Sequence, residues 1–316
     1  MSDEGYGWRN SPKMTTEEHA FSWEKVVDAV HEKEGKIYVQ LWHMGRQAHS
    51  SFHPATNRTV SASNVRMVGG PTKTIHMRDV ETEVPHSLSI TEIKETVDDF
   101  VHAAQLSRVA CFDGIEIHAA NGSLIDLFLQ SCSNQRVDEY GGSIENRARF
   151  LIEIINGIID SGAYPAERIG VRLGPNGTFG GMGSEDNFDT FTTVASILNK
   201  FGLAYLHVLD GLDFGFHQKS KAVTASDIRK VFDGPIFCSV GLTKEVAEGM
   251  IRSGACDAVS FGRLYISNPD LVERFANDWP LEEPAPHETW YAHSAGKGYT
   301  DWPTYNVASQ EIAQDQ

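Results

Sequence analysis

Short apolar runs rich in β-branched residues recur at 36–42, 114–119, 169–173, 204–209, 235–240 and 258–262. Between most of them the apolar positions return with helical period, over 92–109, 147–159, 188–199 and 244–254, and a further helix is expected over 22–33. From residue 114 onward, strand and helix alternate at a steady cadence. That alternation predicts a parallel sheet with helices outside it. The polar residues that interrupt the pattern decide between a closed barrel and an open doubly wound sheet. His118, Arg172, Gly241 and the pair Gly262 and Arg263 fall at the carboxyl ends of different strands, and a barrel brings many strand ends to one mouth. The expectation is an α/β fold of the TIM (β/α)8 type. Six strands are recognised where the barrel needs eight, and the reading places the gap at the amino end, as the first strand-helix unit and the second strand.

One domain is expected across residues 1–316. Residues 49–88 are rich in Ser, Thr, Asn, Pro and Gly without any period, so they read as a long loop or hairpin over the barrel mouth. Residues 280–316 read as a carboxyl-terminal tail carrying several aromatic residues.

The formal net charge of −16 argues against nucleic acid or an anionic membrane surface as a partner, because a phosphate backbone would be repelled. A small molecule is the expected partner, and a homo-oligomer is compatible with the reading. No apolar run approaches a membrane span, and the amino terminus is acidic and polar, unlike a targeting segment. The four cysteines, Cys111, Cys132, Cys238 and Cys256, form no close pair and are expected to be reduced and buried. A cytoplasmic location follows as an expectation.

The candidate chemistry gathers at the strand ends. His118 and Asn121 follow the run 114–117 with neutral donors spaced to reach one electron-rich oxygen, a carbonyl or a phenolate. Taken alone they also read as turn and cap residues. Arg172 interrupts an apolar strand and needs an anionic or electron-rich partner, because an unpaired buried guanidinium is costly. Gln40 interrupts 36–42 in the same way and reads equally as a satisfied core amide or as a contact for a flat heterocycle. Gly241, Gly262 and Arg263 together suggest a phosphate seat, with a helix start at Ser267-Asn-Pro-Asp directly after. His43, His49 and His53 cluster without helical spacing or a nearby acidic ligand, so no metal site is expected. Asp126, Asp138, Glu139 and Glu145 read as helix and loop charges, with Ser143 capping the helix that follows.

Together, Gln40-Leu-Trp-His-Met-Gly-Arg46, His118-Ala-Ala-Asn-Gly122, the run Ser133-Asn-Gln-Arg-Val-Asp-Glu-Tyr-Gly-Gly-Ser-Ile-Glu-Asn-Arg147, Arg172, and Phe261-Gly-Arg263 with Ser267-Asn-Pro-Asp270 resemble the Old Yellow Enzyme family. The resemblance implies non-covalent FMN on a (β/α)8 barrel, reduced by NADPH or NADH and reoxidised by an α,β-unsaturated carbonyl or quinone-like acceptor. It further implies that His118 and Asn121 hold the acceptor oxygen, that Gln40 and Arg172 contact the isoalloxazine, and that Gly241, Gly262 and Arg263 seat the phosphate. Tyr291 resembles the aromatic residue that the family's tail lends to the pocket. The family usually has a tyrosine proton donor two residues after the asparagine, and here that position is Ser123. Serine is too short to reach the same carbon. The alternatives left open are a flavin-dependent isomerase, or a truncated, inactive or weakly flavin-binding pseudoenzyme.

Overall fold

The computed structural model describes residues 2–213, 215–290 and 296–305. Six strands form one parallel sheet: β1 (Tyr38–Leu41), β2 (Gly114–Ala119), β3 (Ile169–Leu173), β4 (Tyr205–Val208), β5 (Ile236–Cys238) and β6 (Ala258–Val259). They lie side by side in chain order, and every pairing is parallel. A doubly wound sheet reverses its strand order at a switch point. No reversal occurs here, so the sheet winds in one direction, as a barrel does. Among the described residues, β1 and β6 each pair with one neighbour.

The helices follow from capping chemistry and apolar period. The first, α1 (Glu17–His31), starts five residues ahead of the expected 22–33, because Thr16 caps it and its first turn is acidic and polar rather than apolar. In α2 (Ile90–Val109), Ser89 and Glu92 make a reciprocal capping box. The short α3 (Leu124–Leu129) was not expected from the sequence; all six of its residues are buried, so it shows no amphipathic period. Ser143 caps α4 (Ile144–Asp160), which buries Phe150, Leu151, Ile154, Ile155 and Ile158 along one stripe. The remaining helices are α5 (Asn187–Leu198), α6 (Ala225–Arg229), α7 (Lys244–Arg252), α8 (Arg263–Ser267) and α9 (Leu271–Asn277). Five residues are too few to show a period, which is why α6 escaped the sequence pattern.

Side chains alternate across the sheet. Ile115, Ile117, Ile169, Val171, Leu206, Val208, Ile236 and Cys238 are fully buried and belong to one core with Phe100, Phe150 and Phe191 of the helices. Burial of each large side chain is worth about 1.5–3 kcal/mol. The opposite, concave face begins with an aromatic floor. Tyr205 stacks on Phe237 with centroids 4.3 Å apart, and Tyr38 lies 5.9 Å from Tyr205. A Cβ at Gly170 would run into the Tyr205 ring, so that strand position accepts only glycine. Above the floor the same face carries Gln40, Glu116, His118, Arg172 and His207.

Residues 49–88 include the antiparallel pair Thr72–Lys73 with Asp79–Val80, and a short parallel pair, Val60–Ser61 with His86–Ser87. Cys238 and Cys256 are buried thiols, whereas Cys132 is half-buried and Cys111 is exposed. The expectation of four buried thiols therefore holds for two: it is met only in part at Cys132 and fails at Cys111, which follows α2 in a left-handed turn (φ 62°) and faces solvent. Among the described residues, no helix is long and apolar enough to cross a membrane.

Candidate active site

His118 stands at the carboxyl end of β2, directly opposite Arg172 of β3, which in turn faces His207 of β4. The imidazole is buried, with Trp42 edge-on to it at 6.4 Å between centroids. Burial first, and then the charge of Arg172, hold its pKa down at about 3, so the ring is neutral at physiological pH. Its Nδ1 is sealed from solvent with no hydrogen-bond partner among the described residues. Leaving a buried polar atom unpaired costs about 1–3 kcal/mol, and a ligand atom can relieve that cost.

The chain then turns sharply. Asn121 (φ 55°) and Gly122 (φ 69°) are both left-handed, a conformation that asparagine tolerates better than most residues. Gln47 Nε2 donates to the Asn121 carbonyl, and Ser123 Oγ donates to the His118 carbonyl at 2.9 Å. The turn is pinned from below by Asp126, whose Oδ2 accepts the Gly122 N–H at 2.8 Å and whose Oδ1 accepts Gln130 Nε2 at 2.9 Å. Asp126 lies in the first turn of α3, in keeping with the helix or loop charge expected from the sequence. It is completely buried, because α3 itself is buried on every side, and burial pushes its carboxyl up to about 7.

Gln40 lies on β1 beside Glu116 of β2, and its Nε2 donates to Glu116 Oε1 at 2.5 Å. Glu116 and its partner His207 were missed in the sequence, since one acid and one histidine inside apolar runs give no motif. The alternation of inward and outward positions carried the signal: 40, 116, 118, 172 and 207 all face the same side.

At the other side of the mouth, Gly241 (φ 70°) follows β5 and Gly262 opens α8. Arg263 Nη2 lies 3.1 Å from Asp213 Oδ2, and a Cβ on Gly241 would meet that same carboxylate. Gly241 and Arg263 thus flank one place already held by an anionic group. Tyr291 lies outside the described residues.

The clustered histidines serve the backbone. His43 Nδ1 accepts from Gly45 N at 3.1 Å, His49 Nδ1 accepts from Ser51 N at 3.0 Å, and His53 places its two nitrogens against the Arg58 and Tyr6 carbonyls.

A parallel sheet wound in one direction, with a neutral buried imidazole and an arginine side by side at its strand ends, is the frame of a barrel enzyme. Residues 1–282 match the model of the NADH:flavin oxidoreductase / NADH oxidase family, and the chain belongs to that family. It is 39% identical over 289 residues to a Leishmania infantum protein named "Probable flavin mononucleotide-dependent alkene reductase", covering 90% of this chain and 77% of that one. An old yellow enzyme homologue from Zymomonas mobilis superposes with a TM-score of 0.88 at 37% identity, covering 96% of this chain and 83% of that one. Morphinone reductase in complex with tetrahydroNAD gives 0.87 at 34% identity, covering 96% and 82%. The chain is an FMN-dependent oxidoreductase of the Old Yellow Enzyme type that uses a nicotinamide reductant.

Proposed function

We propose that this chain passes hydride from NADPH or NADH, by way of FMN, to an α,β-unsaturated carbonyl or quinone-like acceptor whose oxygen is held by His118 and Asn121. The observation that carries the reading is the buried, neutral His118 with its unpartnered Nδ1, one strand away from the guanidinium of Arg172. A neutral imidazole keeps one N–H donor, and a donor aimed at a carbonyl oxygen draws density away from the conjugated alkene as negative charge grows there. Asn121 adds a second neutral donor from the left-handed turn. Arg172 holds positive charge against the electron-rich edge of the isoalloxazine, and Gln40 offers its amide to the same ring. Gly241, Gly262 and Arg263 seat the phosphate, where Asp213 now supplies the negative charge. FMN, when bound, supplies the two-electron chemistry. We place the protein in the cytoplasm, with small molecules as its partners, and a homo-oligomer is compatible with this reading.

The test is to add FMN to the full chain and to follow NADPH and NADH oxidation with 2-cyclohexenone under anaerobic conditions. FMN uptake with enone-dependent oxidation that falls at least about tenfold in His118→Ala is expected. A chain that stays colourless in excess FMN overturns the reading.

A further inference from the structure

Beneath His118 a chain of polar side chains crosses the concave face from one end of the sheet to the other. Gln40 Nε2 donates to Glu116 Oε1 at 2.5 Å, Glu116 Oε2 lies 2.9 Å from His207 Nδ1, and His207 Nε2 lies 3.0 Å from both Ser239 Oγ and Ser260 Oγ. Glu116 is 8% exposed and His207 6%. A carboxylate buried to this degree is very costly unless it is paired and hydrogen-bonded. Burial does push the Glu116 carboxyl up, but the hydrogen bonds from His207 and Gln40 and the charge of Arg172 outweigh it and leave the group at about 2. Glu116 is therefore ionised throughout the working pH range, and an ionised carboxylate only accepts hydrogen bonds.

That property fixes a second residue. An amide has one end that donates and one that accepts, and the two have nearly the same shape. Facing a carboxylate, Gln40 can present only its NH2 end, so it cannot turn over. One Nε2 hydrogen is committed to Glu116, and the carbonyl Oε1 is left for the ligand. Oxidised isoalloxazine has a single ring N–H, the one in its imide. We propose that Glu116 is a positioning residue: held by His207 on one oxygen, it locks the Gln40 amide with the other, so that the Gln40 carbonyl is offered to the imide N–H of the bound isoalloxazine. The proposal rests on the flavin reading of the site.

A carbonyl accepting from the imide N–H opposes loss of that proton, whereas an NH2 group in its place would favour the anion. The readout is the alkaline ionisation of the imide in bound FMN, followed by its visible spectrum in the full chain. Glu116→Gln frees Gln40 to turn over, and Glu116→Asp keeps the charge but is one methylene too short to hold both His207 and Gln40. Both variants are expected to lower the imide pKa by about one unit, equivalent to about 1.4 kcal/mol, and to weaken FMN binding by about tenfold. Glu116→Asp separates the orientation of Gln40 from the loss of negative charge, and it stands as the test if the neutral variant does not fold. FMN bound with unchanged imide ionisation in Glu116→Asp overturns this proposal alone, even if the variant melts earlier. A wild-type chain that takes up no FMN overturns it together with the flavin reading.

Discussion

The Ser123 hydroxyl donates to the backbone carbonyl of His118 at 2.9 Å, closing the turn that carries Asn121. Its one proton is committed to the backbone, and the side chain is almost wholly buried. Ser123 is thus a brace for the turn, which agrees with its being too short to protonate a substrate carbon. Ser123→Ala is expected to cost about 0.5–1.5 kcal/mol in a urea melt. Its effect on enone turnover should be far smaller than the hundredfold or so that loss of a general acid brings. A loss of that size would make Ser123 the proton donor. Ser123→Tyr, which places a phenol at the mouth, is expected to raise net alkene reduction per NAD(P)H consumed.

Acid stability should be governed by buried histidines. Burial foremost holds both His43 and His118 at about 3, against 6.5 in the unfolded chain. Between those values the unfolded chain binds up to two more protons than the folded one, so stability falls as pH falls, by up to about 2.7 kcal/mol per unit. Asp126 opposes one of the two: it is raised by burial to about 7 from 3.8, and over that window the folded chain holds the extra proton. From pH 6.5 to 4.5 these three groups give a slope of at most about 1.4 kcal/mol per unit, downward with acidification, which Asp99 and Asp210, both raised by burial, reduce. Below 4.5 it steepens, because Glu116, Glu92, Asp113 and Asp227 are held at about 2 in the fold and their stabilisation is lost as they take up protons. Urea midpoints at pH 7, 6, 5 and 4 check this, and a midpoint that rises from pH 6.5 to 5 would contradict it.

The barrel class was legible because its signal is periodic: β2 and β3 appear at the bounds the sequence suggested, and the other four strands fall within the expected runs. The ends of those runs were less legible, since an apolar residue next to a strand prolongs the pattern without pairing. What stayed hidden depends on contacts distant in sequence. Gln40 and Glu116 are 76 residues apart, and Glu116 and His207 are 91 apart. The sequence left Gln40 between a core amide and a ligand contact. In the structure the amide nitrogen is satisfied by Glu116, and the proposed flavin contact would use the carbonyl end. Asp126 does lie in a helix, as expected, but its burial was not legible, because a short helix buried on all sides gives no polar face from which its acid could be told apart.

Asp126 also makes a prediction of its own. It accepts from Gly122 N and from Gln130 Nε2, while Gln130 Oε1 accepts from Gly183 N at 2.8 Å and from Asn187 Nδ2 at 3.1 Å. Gln130 therefore cannot turn over to suit a neighbour. Asn in place of Asp126 has one acceptor where two are needed, and its NH2 must face another donor. Asp126→Asn should cost about 1–3 kcal/mol despite matching in shape. Because Gly122 directly follows Asn121, the variant should raise KM for the enone more than it weakens FMN binding. Stability equal to wild type, or a loss confined to FMN affinity, would contradict this account of the turn.

The place beside Gly241 and Arg263 predicts competition between an internal anion and the cofactor. Val240 and Gly241 both have positive φ (87° and 70°), unusual for a β-branched residue, and this bend brings the chain against the Asp213 carboxylate. Arg263 pairs with Asp213 at 3.1 Å and lies over the Trp290 ring, 5.8 Å from its centroid. A phosphate seated by Gly241 and Arg263 has to displace that carboxylate. The pair is substantially exposed, so its loss should cost at most about 1 kcal/mol of stability. Asp213→Asn is then expected to tighten FMN binding several-fold, with the larger gain at low ionic strength, where an exposed charge is least screened. Arg263→Ala should weaken binding by about tenfold or more, because a charge-assisted hydrogen bond to phosphate is lost. Quenching of FMN fluorescence at low and high salt measures both. If Asp213→Asn binds no more tightly than wild type and Arg263→Ala binds as well, the phosphate does not sit at these strand ends.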